Sequence, residues 1–417
     1  MSNSVPEGWA EFRQGDVANF SNGRAYKLDE WESHGTPVIR LQNLTGSGKD
    51  YYYSNLNLPD RQYCEYGDLL YMWSATFGPH IWKGPKAIYH YHIWKVTPDE
   101  VNFTKAYAYQ LLGYKTSEWL NTSNGMGILH VTKGGMEDLP LTLPPLPEQQ
   151  KIATILSSVD DVIEKTRAQI NKLKDLKTGM MQELLTKGIG SGGVPHTEFK
   201  DSPVGRIPVG WELFTLKSLC TRITDGTHQA VKTVEDGEIP FLYVSCIRDG
   251  KIHWDKAATL TEDAYKTASQ GRIAKPNDVL YTAVGSYGHA ALVQMDRRFS
   301  FQRHIAFIQP DATSIDSYYL VEVLNSTVGR LQADHFAIGN AQLTVTLGDL
   351  GKYLIPLPSL NEQMKIASVC KSISADLSSY QIKLEVFQNL KKALMQDLLT
   401  GKVRVNVTTA QRESVVA

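Results

Sequence analysis

The chain has 417 residues, 42% of them hydrophobic and 21% charged, with a formal net charge of −1. That length suits two or three globular domains rather than one core, and the balanced charge leaves no global basic footprint of the kind nucleic-acid binding usually requires. There is no apolar run of 18 residues for a membrane span, and the opening "MSNSVPEGWAEF" lacks the pattern of a secretory leader. Four scattered cysteines (Cys64, Cys220, Cys246, Cys370) without a CxxC pair predict reduced thiols in a cytoplasmic protein, not a zinc site or a disulfide framework.

Residues 1–143 read as a first domain of mixed α and β structure. Strand-like runs are "TPVIRLQNL", "DLLYMW" and "AIYHYHIWKV", bounded by Gly, Pro and Asp turns, and a helical pattern follows in "FTKAYAYQLLGYKTSEWL". Two loops, "FSNGRAYK" (20–27) and "MWSATFGPHIWKGPK" (72–86, with a Gly-Pro turn), mix small, aromatic and basic residues. Side chains of this kind can reach phosphates and base edges, so Asn22, Arg24, Lys27, Trp73, His80, Lys83 and Lys86 of these loops, with Arg40 and Asn43 of "TPVIRLQNL", are candidate DNA contacts. Each loop is equally readable as an ordinary polar surface. His90 and His92 in "YHYH" are expected to alternate on a strand, and no third ligand accompanies them as a metal site would need. Asp68 falls in a "GD" turn, where an Asx side chain bonding the backbone explains it better than catalysis does.

Residues 144–188 predict a long helix. Leu143-Pro144 stops the preceding segment, Pro147 suits a first turn, and Glu148 favours the positive end of the helix dipole. Apolar positions then recur in alternating steps of four and three: Ile152, Leu156, Val159, Ile163, Ile170, Leu173, Met180 and Leu184, with Lys177 as a polar interruption. Such spacing over about five heptads is a coiled-coil signature. A Gly-rich linker and junction, residues 189–207, leads to a second mixed domain, 208–357. It holds the runs "IPFLYVSCI", "DVLYTAV", "HAALVQM" and "RHIAFIQ" and a helical pattern "SIDSYYLVEVLNSTVGRLQ". Its candidate DNA contacts are Thr227, His228, Arg248, Ser286, Tyr287, His289, Arg297, Arg298 and Arg303, and Asp278 occupies an "ND" turn. Residues 358–402 repeat the helix, with Ile366, Ile373, Leu377, Leu384, Phe387, Leu394 and Leu398 on the stripe and Lys391 as the interruption. The tail, 403–417, is polar and expected to fray.

The second half is a copy of the first. At an offset of 214, "EQQKIATILSS" (148–158) matches "EQMKIASVCKS" (362–372), and "MQELLT" (181–186) matches "MQDLLT" (395–400). Weaker matches keep the same order: "PEGW" with "PVGW", "GDLLY" with "NDVLY", "HIWKVTPD" with "HIAFIQPD", and "FSNGRAYK" with "RITDGTHQAVK". The residues after the first helix, few in number, must bring the chain back to begin the second domain, whose end feeds the second helix. The second helix should therefore start where the first stops, and the pair should run antiparallel. The expected fold is α+β: two similar domains separated by two long antiparallel coiled-coil helices with pseudo-two-fold symmetry.

Signatures of catalysis are absent from the sequence: no GxxxxGK[ST] loop, no glycine fingerprint, no Asn/Asp-Pro-Pro-aromatic motif, no GxSxG and no HExxH. The plan instead resembles the specificity subunits of type I restriction–modification systems, over nearly the whole chain. The resemblance rests on the duplicated "P-x-x-EQ-x-KIA" opening, the "LLT" helix end and the "FKDSPVGRIPVGW" junction, with Asn361 standing where the first copy has Pro147. It implies two target recognition domains, each reading one half of a bipartite DNA site. It implies that the helices set the gap and dock two modification (methyltransferase) subunits, with restriction (endonuclease/translocase) subunits joining them. It also implies that S-adenosylmethionine, ATP and Mg belong to those partners and that this chain is not itself a catalyst. A helix of about 58 Å, at about 1.5 Å per residue, would cover roughly 17 base pairs. Charge is uneven along the chain: −3 over 1–142, −2 over 195–357, and +1 and +3 over the helical portions 143–194 and 358–417. Local patches must then carry any DNA contact, with modification subunits supplying much of the grip on phosphates. A coiled-coil adaptor with two protein-binding domains is the alternative reading.

Overall fold

The computed structural model describes residues 5–48, 50–122, 132–190, 192–340 and 342–407, so most of the tail, 408–417, lies outside the described residues. The chain divides into two compact units: residues 1–167 with 382–417, and residues 168–381. The division cuts through both long helices, so each unit holds one mixed domain and a part of each helix. Among the described residues no helix is long and apolar enough to cross a membrane.

In the first unit, strand β1 (Ala10–Arg13) is followed by β2 (Ala18–Asn22), β3 (Thr36–Ile39), β4 (Tyr52–Ser54), β5 (Tyr63–Cys64), β6 (Leu69–Ser74), β7 (Thr76–Ile81), β8 (Ala87–Tyr89), β9 (Ile93–Pro98) and β10 (Pro140–Leu143). An antiparallel sheet runs β2-β9-β6-β7, and a second sheet runs β4-β3-β8-β5, with β3 and β8 parallel. β1 pairs with β10, tying the start of the domain to its end. The continuous apolar run in β6 follows from period-two alternation with both faces buried. Leu69 and Tyr71 enter a core with Tyr107, Ala108, Leu111 and Leu112 of the helix Lys105–Thr122, while Leu70 and Met72 enter a second core with Ile39, Cys64 and Tyr89.

The second unit repeats this plan. Its main sheet orders Cys220–Asp225, Ile305–Pro310, Val279–Thr282 and Ala290–Leu292, as β2, β9, β6 and β7 are ordered. Ile239–Leu242 pairs antiparallel with Ala258–Leu260 and parallel with Ser300–Phe301, as β3 does with β4 and β8. Val279 and Tyr281 face one core, Leu280 the other. Asp68 and Asp278 both close turns: each carboxylate accepts from the backbone N–H three residues earlier, Glu65 at 2.9 Å and Lys275 at 2.7 Å.

The two long helices, Leu146–Lys187 and Leu360–Leu398, run antiparallel within each unit. In the second unit, Met181 lies against Cys370, and the Lys177 ammonium donates to the Ser374 hydroxyl at 3.0 Å. In the first, Lys391 pairs with Asp160 at 2.6 Å. In every case the two residue numbers sum to 551, the mark of an antiparallel register. The polar interruptions at Lys177 and Lys391 therefore each meet a polar partner across the pair. Ile152, Leu156, Val159, Ile163, Ile170, Ile366, Ile373 and Leu398 are buried, and Leu173, Leu377, Leu384, Phe387 and Leu394 are half-buried. Near the end of the first helix the seam moves by one residue. Met181 and Leu185 are buried, where the heptad count gave Met180 and Leu184, which are half-buried. A helix of 3.6 residues per turn drifts by about 20° per heptad, and here the second domain's core receives the drifted face.

The repeated Glu-Gln at the helix starts is a lock. The buried Gln149 accepts from the Thr104 N–H at 2.9 Å and donates to the Asn102 and Pro144 carbonyls. Gln363 likewise accepts from the Asp316 N–H at 2.8 Å and donates to the Pro358 carbonyl. Each glutamine thus fastens a long helix to the start of its domain's own helix. The buried Glu148 is held through both oxygens by Arg404 at 2.8 Å, whereas Glu362 accepts from the Ile189 N–H at 2.8 Å and from Trp211 Nε1 at 3.3 Å and lies 2.9 Å from His196 Nε2. The segment after one helix thus holds the start of the other.

Several local expectations are corrected. "TPVIRLQNL" is a strand only to Ile39, after which Leu41–Thr45 forms a helical turn closed by Gly46 in the left-handed region. The 314–332 pattern is two helices, Ser317–Asn325 and Thr327–Phe336, because Ser326 between them is extended and its hydroxyl donates to the Val323 carbonyl of the first. Gly78-Pro79 is not a turn but part of β7, an edge strand where the missing proline N–H is harmless. His90 and His92 do not alternate on a strand: Tyr91 and His92 form the turn between β8 and β9.

Candidate nucleic-acid interface

The strongest structural repeat outside the helices is a backbone corner where the loop after β2 meets the β8–β9 turn. Gly23 N–H donates to the Ile93 carbonyl at 3.2 Å, Arg24 N–H to Tyr89 at 3.0 Å, Tyr91 N–H back to Arg24 at 3.0 Å, and His90 N–H to Ile39 at 2.9 Å. The second unit reproduces every bond: Gly226 to Ile305 at 3.1 Å, Thr227 to Phe301 at 2.9 Å, Arg303 to Thr227 at 3.0 Å, and Gln302 to Leu242 at 3.1 Å. The glycine is required by space. A β-carbon on Gly23 would lie 2.3 Å from the Tyr89 and His90 carbonyl oxygens, and one on Gly226 would lie 2.2 Å from the Phe301 oxygen. Identical backbone thus presents different side chains: Arg24, Arg40, His90 and Tyr91 in one unit, and Tyr243, Gln302 and Arg303 in the other, where the buried Thr227 stands in place of Arg24.

In the first unit the corner gathers Arg24, Arg40 and Trp73 of the candidates, with the exposed Asn22 and Lys27 at its margin. Arg24 is ion-paired with Glu30, whose second oxygen accepts from the Lys27 N–H at 2.8 Å. Trp73 Nε1 donates to the Tyr91 carbonyl at 2.8 Å, and its ring stacks on Trp94 at 5.4 Å. His90 and His92, with ring centroids 5.1 Å apart, belong to this cluster although their sequence gave no such sign. Burial, then the neighbouring His92 and Arg40, push His90 down to about 4, so its imidazole is neutral near pH 7. Asn43 is spent on structure: it accepts from the Arg40 N–H and donates to the Gly48 and Asp50 carbonyls. His80, Lys83 and Lys86 lie apart from the corner contacts. Lys83 pairs with Glu164 of the first long helix at 3.2 Å, Lys86 lies over the Tyr63 ring at 4.5 Å, and His80 on β7 is held below its usual range by burial and then by Lys83.

In the second unit the candidates fall into three groups. The corner holds the exposed Arg303, the exposed His228, whose Nε2 lies 2.6 Å from Asp225, and Thr227, which is 5% exposed and so presents backbone rather than a reading side chain. A second group joins Arg248 to Ser286 by a hydrogen bond, while the Tyr287 hydroxyl donates to Asp334 at 2.9 Å. His289, lowered by burial and then by Arg248 and Arg330, lines a cavity of about 710 Å³ beside Lys177, Lys251 and Glu322. A third group is committed to packing: Arg298 reaches both oxygens of Glu262 at 2.6 Å and covers Tyr265, and Arg297 lies over Trp254 at 4.9 Å.

Sequence reading missed His90, Tyr91, Gln302 and Tyr243. Their signal was the "NG"/"DG" glycine shared by two otherwise unlike loops, which marks a close backbone approach. The corner offers guanidinium, imidazole, amide and aromatic groups on a fixed frame, which suits hydrogen bonding and stacking with polar ligands, and it assembles no nucleophile–base pair.

The model of the type I restriction modification DNA specificity domain matches residues 6–175 and again 208–388. The chain is 28% identical over 410 residues to the type I restriction enzyme MjaVIII specificity subunit of Methanocaldococcus jannaschii, covering 96% of this chain and 94% of that one. It is 25% identical to the EcoBI specificity subunit of Escherichia coli, covering 98% and 88%. Its fold matches the type I restriction–modification S subunit from M. genitalium at a TM-score of 0.61 and 12% identity, covering 98% of this chain and 99% of that one. Two matches to one family model, each taking in a domain and most of the helix that follows it, place this chain in the type I restriction–modification specificity family, as a specificity subunit carrying the family's domain twice.

Proposed function

We propose that each unit reads one half of a bipartite, asymmetric duplex-DNA site. On this reading the paired helices set the length of the unread gap and dock two modification subunits, and restriction subunits complete the assembly. Methyl transfer and its S-adenosylmethionine, and translocation and cleavage with ATP and Mg, belong to those partners; this chain supplies recognition and no catalytic group. The observation that carries the reading is the duplicated corner: one backbone frame, two unlike side-chain sets, as two readers of different half-sites require.

The test is co-expression with its modification subunit and genome-wide mapping of methylated sites. Replacing residues 1–143 by the corresponding domain of a relative should change one half of the methylated motif and leave the other half and the gap intact. A change in both halves, or methylation with no sequence-defined motif, would sink the proposal and favour the adaptor reading.

Docking has its own support. Ile382, Val386 and Leu390 are 63%, 57% and 44% exposed and recur at intervals of four residues on the second long helix, so they form one apolar stripe away from the helix seam. The proposed occupant is a modification subunit. Ile382→Asp with Val386→Asp should reduce co-purification of that subunit at least tenfold while leaving the thermal midpoint of the free chain within about 2 °C, since exposed substitutions rarely exceed about 0.5 kcal/mol. Undiminished co-purification would remove the stripe from the interface.

A further inference from the structure

Arg24 and Arg40 are the two ends of a stack in the first unit. The Arg24 guanidinium lies 4.4 Å from the centre of the Tyr26 ring. Tyr26 stacks on Trp31 at 4.6 Å and 20°, and Trp31 lies against Tyr52 at 4.6 Å. The Arg40 guanidinium lies 4.1 Å from the centre of the Tyr52 ring. Glu30 fixes one edge of Arg24. Such packing immobilises two side chains that would otherwise lose several rotatable bonds' freedom on binding.

Both guanidiniums nevertheless keep unused donors. Arg24 Nη1 and Arg40 Nε are enclosed, and Arg24 Nη2 is taken by Glu30; Arg24 Nε and both Nη atoms of Arg40 are neither enclosed nor hydrogen-bonded among the described residues. Open, unpaired donors on side chains already held in place suit an acceptor brought from outside. The fold does not need the stack for its own sake. On the matching frame of the second unit, Gln229 stands for Tyr26, Tyr243 for Arg40 and Ala258 for Tyr52, as the shared corner bonds and the pairings of Val38 with Tyr52 and Phe241 with Ala258 place them. That unit closes its corner equally well without a cation–aromatic stack.

A rigid planar fork of N–H donors matches two acceptors lying side by side in one plane. Among base edges in the major groove, guanine alone offers that pair, through O6 and N7; adenine offers one acceptor with a donor, thymine one acceptor with a methyl group, and cytosine a donor. We propose that the first unit reads guanine through Arg24 and Arg40, one G·C pair for each arginine, and that the second unit reads its half without a guanidinium at these positions. This rests on the reading of half-sites proposed above.

The experiment maps methylation by the complex of this chain with its modification subunit, for the unaltered chain and for Arg24→Gln, Arg40→Gln and Arg40→Lys. The domain replacement above identifies which half belongs to the first unit. Each variant should relax selectivity at one G·C pair of that half by roughly 10- to 100-fold and leave the other half and the gap unchanged. Arg40→Lys keeps the charge and the stem but loses the fork, so it should relax the same position as Arg40→Gln; it also answers for the site should the glutamine variant fail to fold. Relaxation at an A·T pair overturns the inference. So does an even loss of methylation across all sites with the motif intact, which would make the arginines phosphate contacts. A motif with a defined half that neither arginine affects sinks this inference and leaves half-site reading standing; the absence of any motif in the unaltered complex sinks both.

Discussion

Inserting four residues after Arg167 and four more after Leu384 is expected to lengthen the tolerated gap in the DNA site by about two base pairs, with both half-sites unchanged. The positions follow from the register. Residue numbers of facing pairs sum to 551, so Arg167 faces residue 384, and insertion in one helix alone would displace every pair on one side of it. Four residues add about 6 Å and about 40° of rotation beyond one full turn, so heptad phase is nearly kept. Against about 3.4 Å per base pair, 6 Å is close to two steps. The comparison of matched and single insertions separates length from damage: the single insertion should lower methylation at every site, the matched pair should move the gap. Altered half-sites with an unaltered gap would remove the helices as the spacing element.

Arg404→Ala is expected to destabilise the first unit by about 3 kcal/mol, the low end of the range for removing one partner of a buried pair. Glu148 has a side chain only 5% exposed and bonds Arg404 through both oxygens, while the Arg404 side chain is 42% exposed. The arginine also donates to the Glu7 carbonyl at 2.6 Å, so its loss frees the N-terminal segment from the start of the helix as well. Water can reach the vacated side, which is why the upper end of the range does not apply. For a unit of about 200 residues the thermal midpoint should fall by about 6–12 °C. Glu148→Gln added to Arg404→Ala should recover most of the loss, because an uncharged amide tolerates burial without a cation. A midpoint within 1 °C of the unaltered chain for Arg404→Ala would mean that Glu148 finds other partners.

Much of this molecule was legible along the chain because its signals are periodic or repeated. The long helices announced themselves through alternating steps of four and three, and burial followed that stripe from Ile152 to Ile170 and from Ile366 to Ile373, becoming partial from Leu377 to Leu394. The antiparallel direction followed from chain connection alone. The Asp68 and Asp278 turns were also readable, since each carboxylate bonds the backbone of its own turn. The structural bonds of Asn43 were not readable, because its amide donates to carbonyls that only the folded loop brings near. The partner of Arg298 was hidden for the same reason: Glu262, which bonds its guanidinium, lies 36 positions away.

By itself, then, the sequence determined the duplication, the paired helices and the two unlike domains, because hydrophobic period and repeat spacing are local properties that survive without coordinates. Tertiary structure alone decided which side chains share the corner. Arg24, Arg40 and His90 are brought together by β3, β8 and the β8–β9 turn, and the unmet donors of two arginines exist only once aromatic rings from three segments have closed around them. Hydrogen bonding and desolvation depend on what surrounds a group in space, and no spacing of residue types along a chain encodes that surrounding.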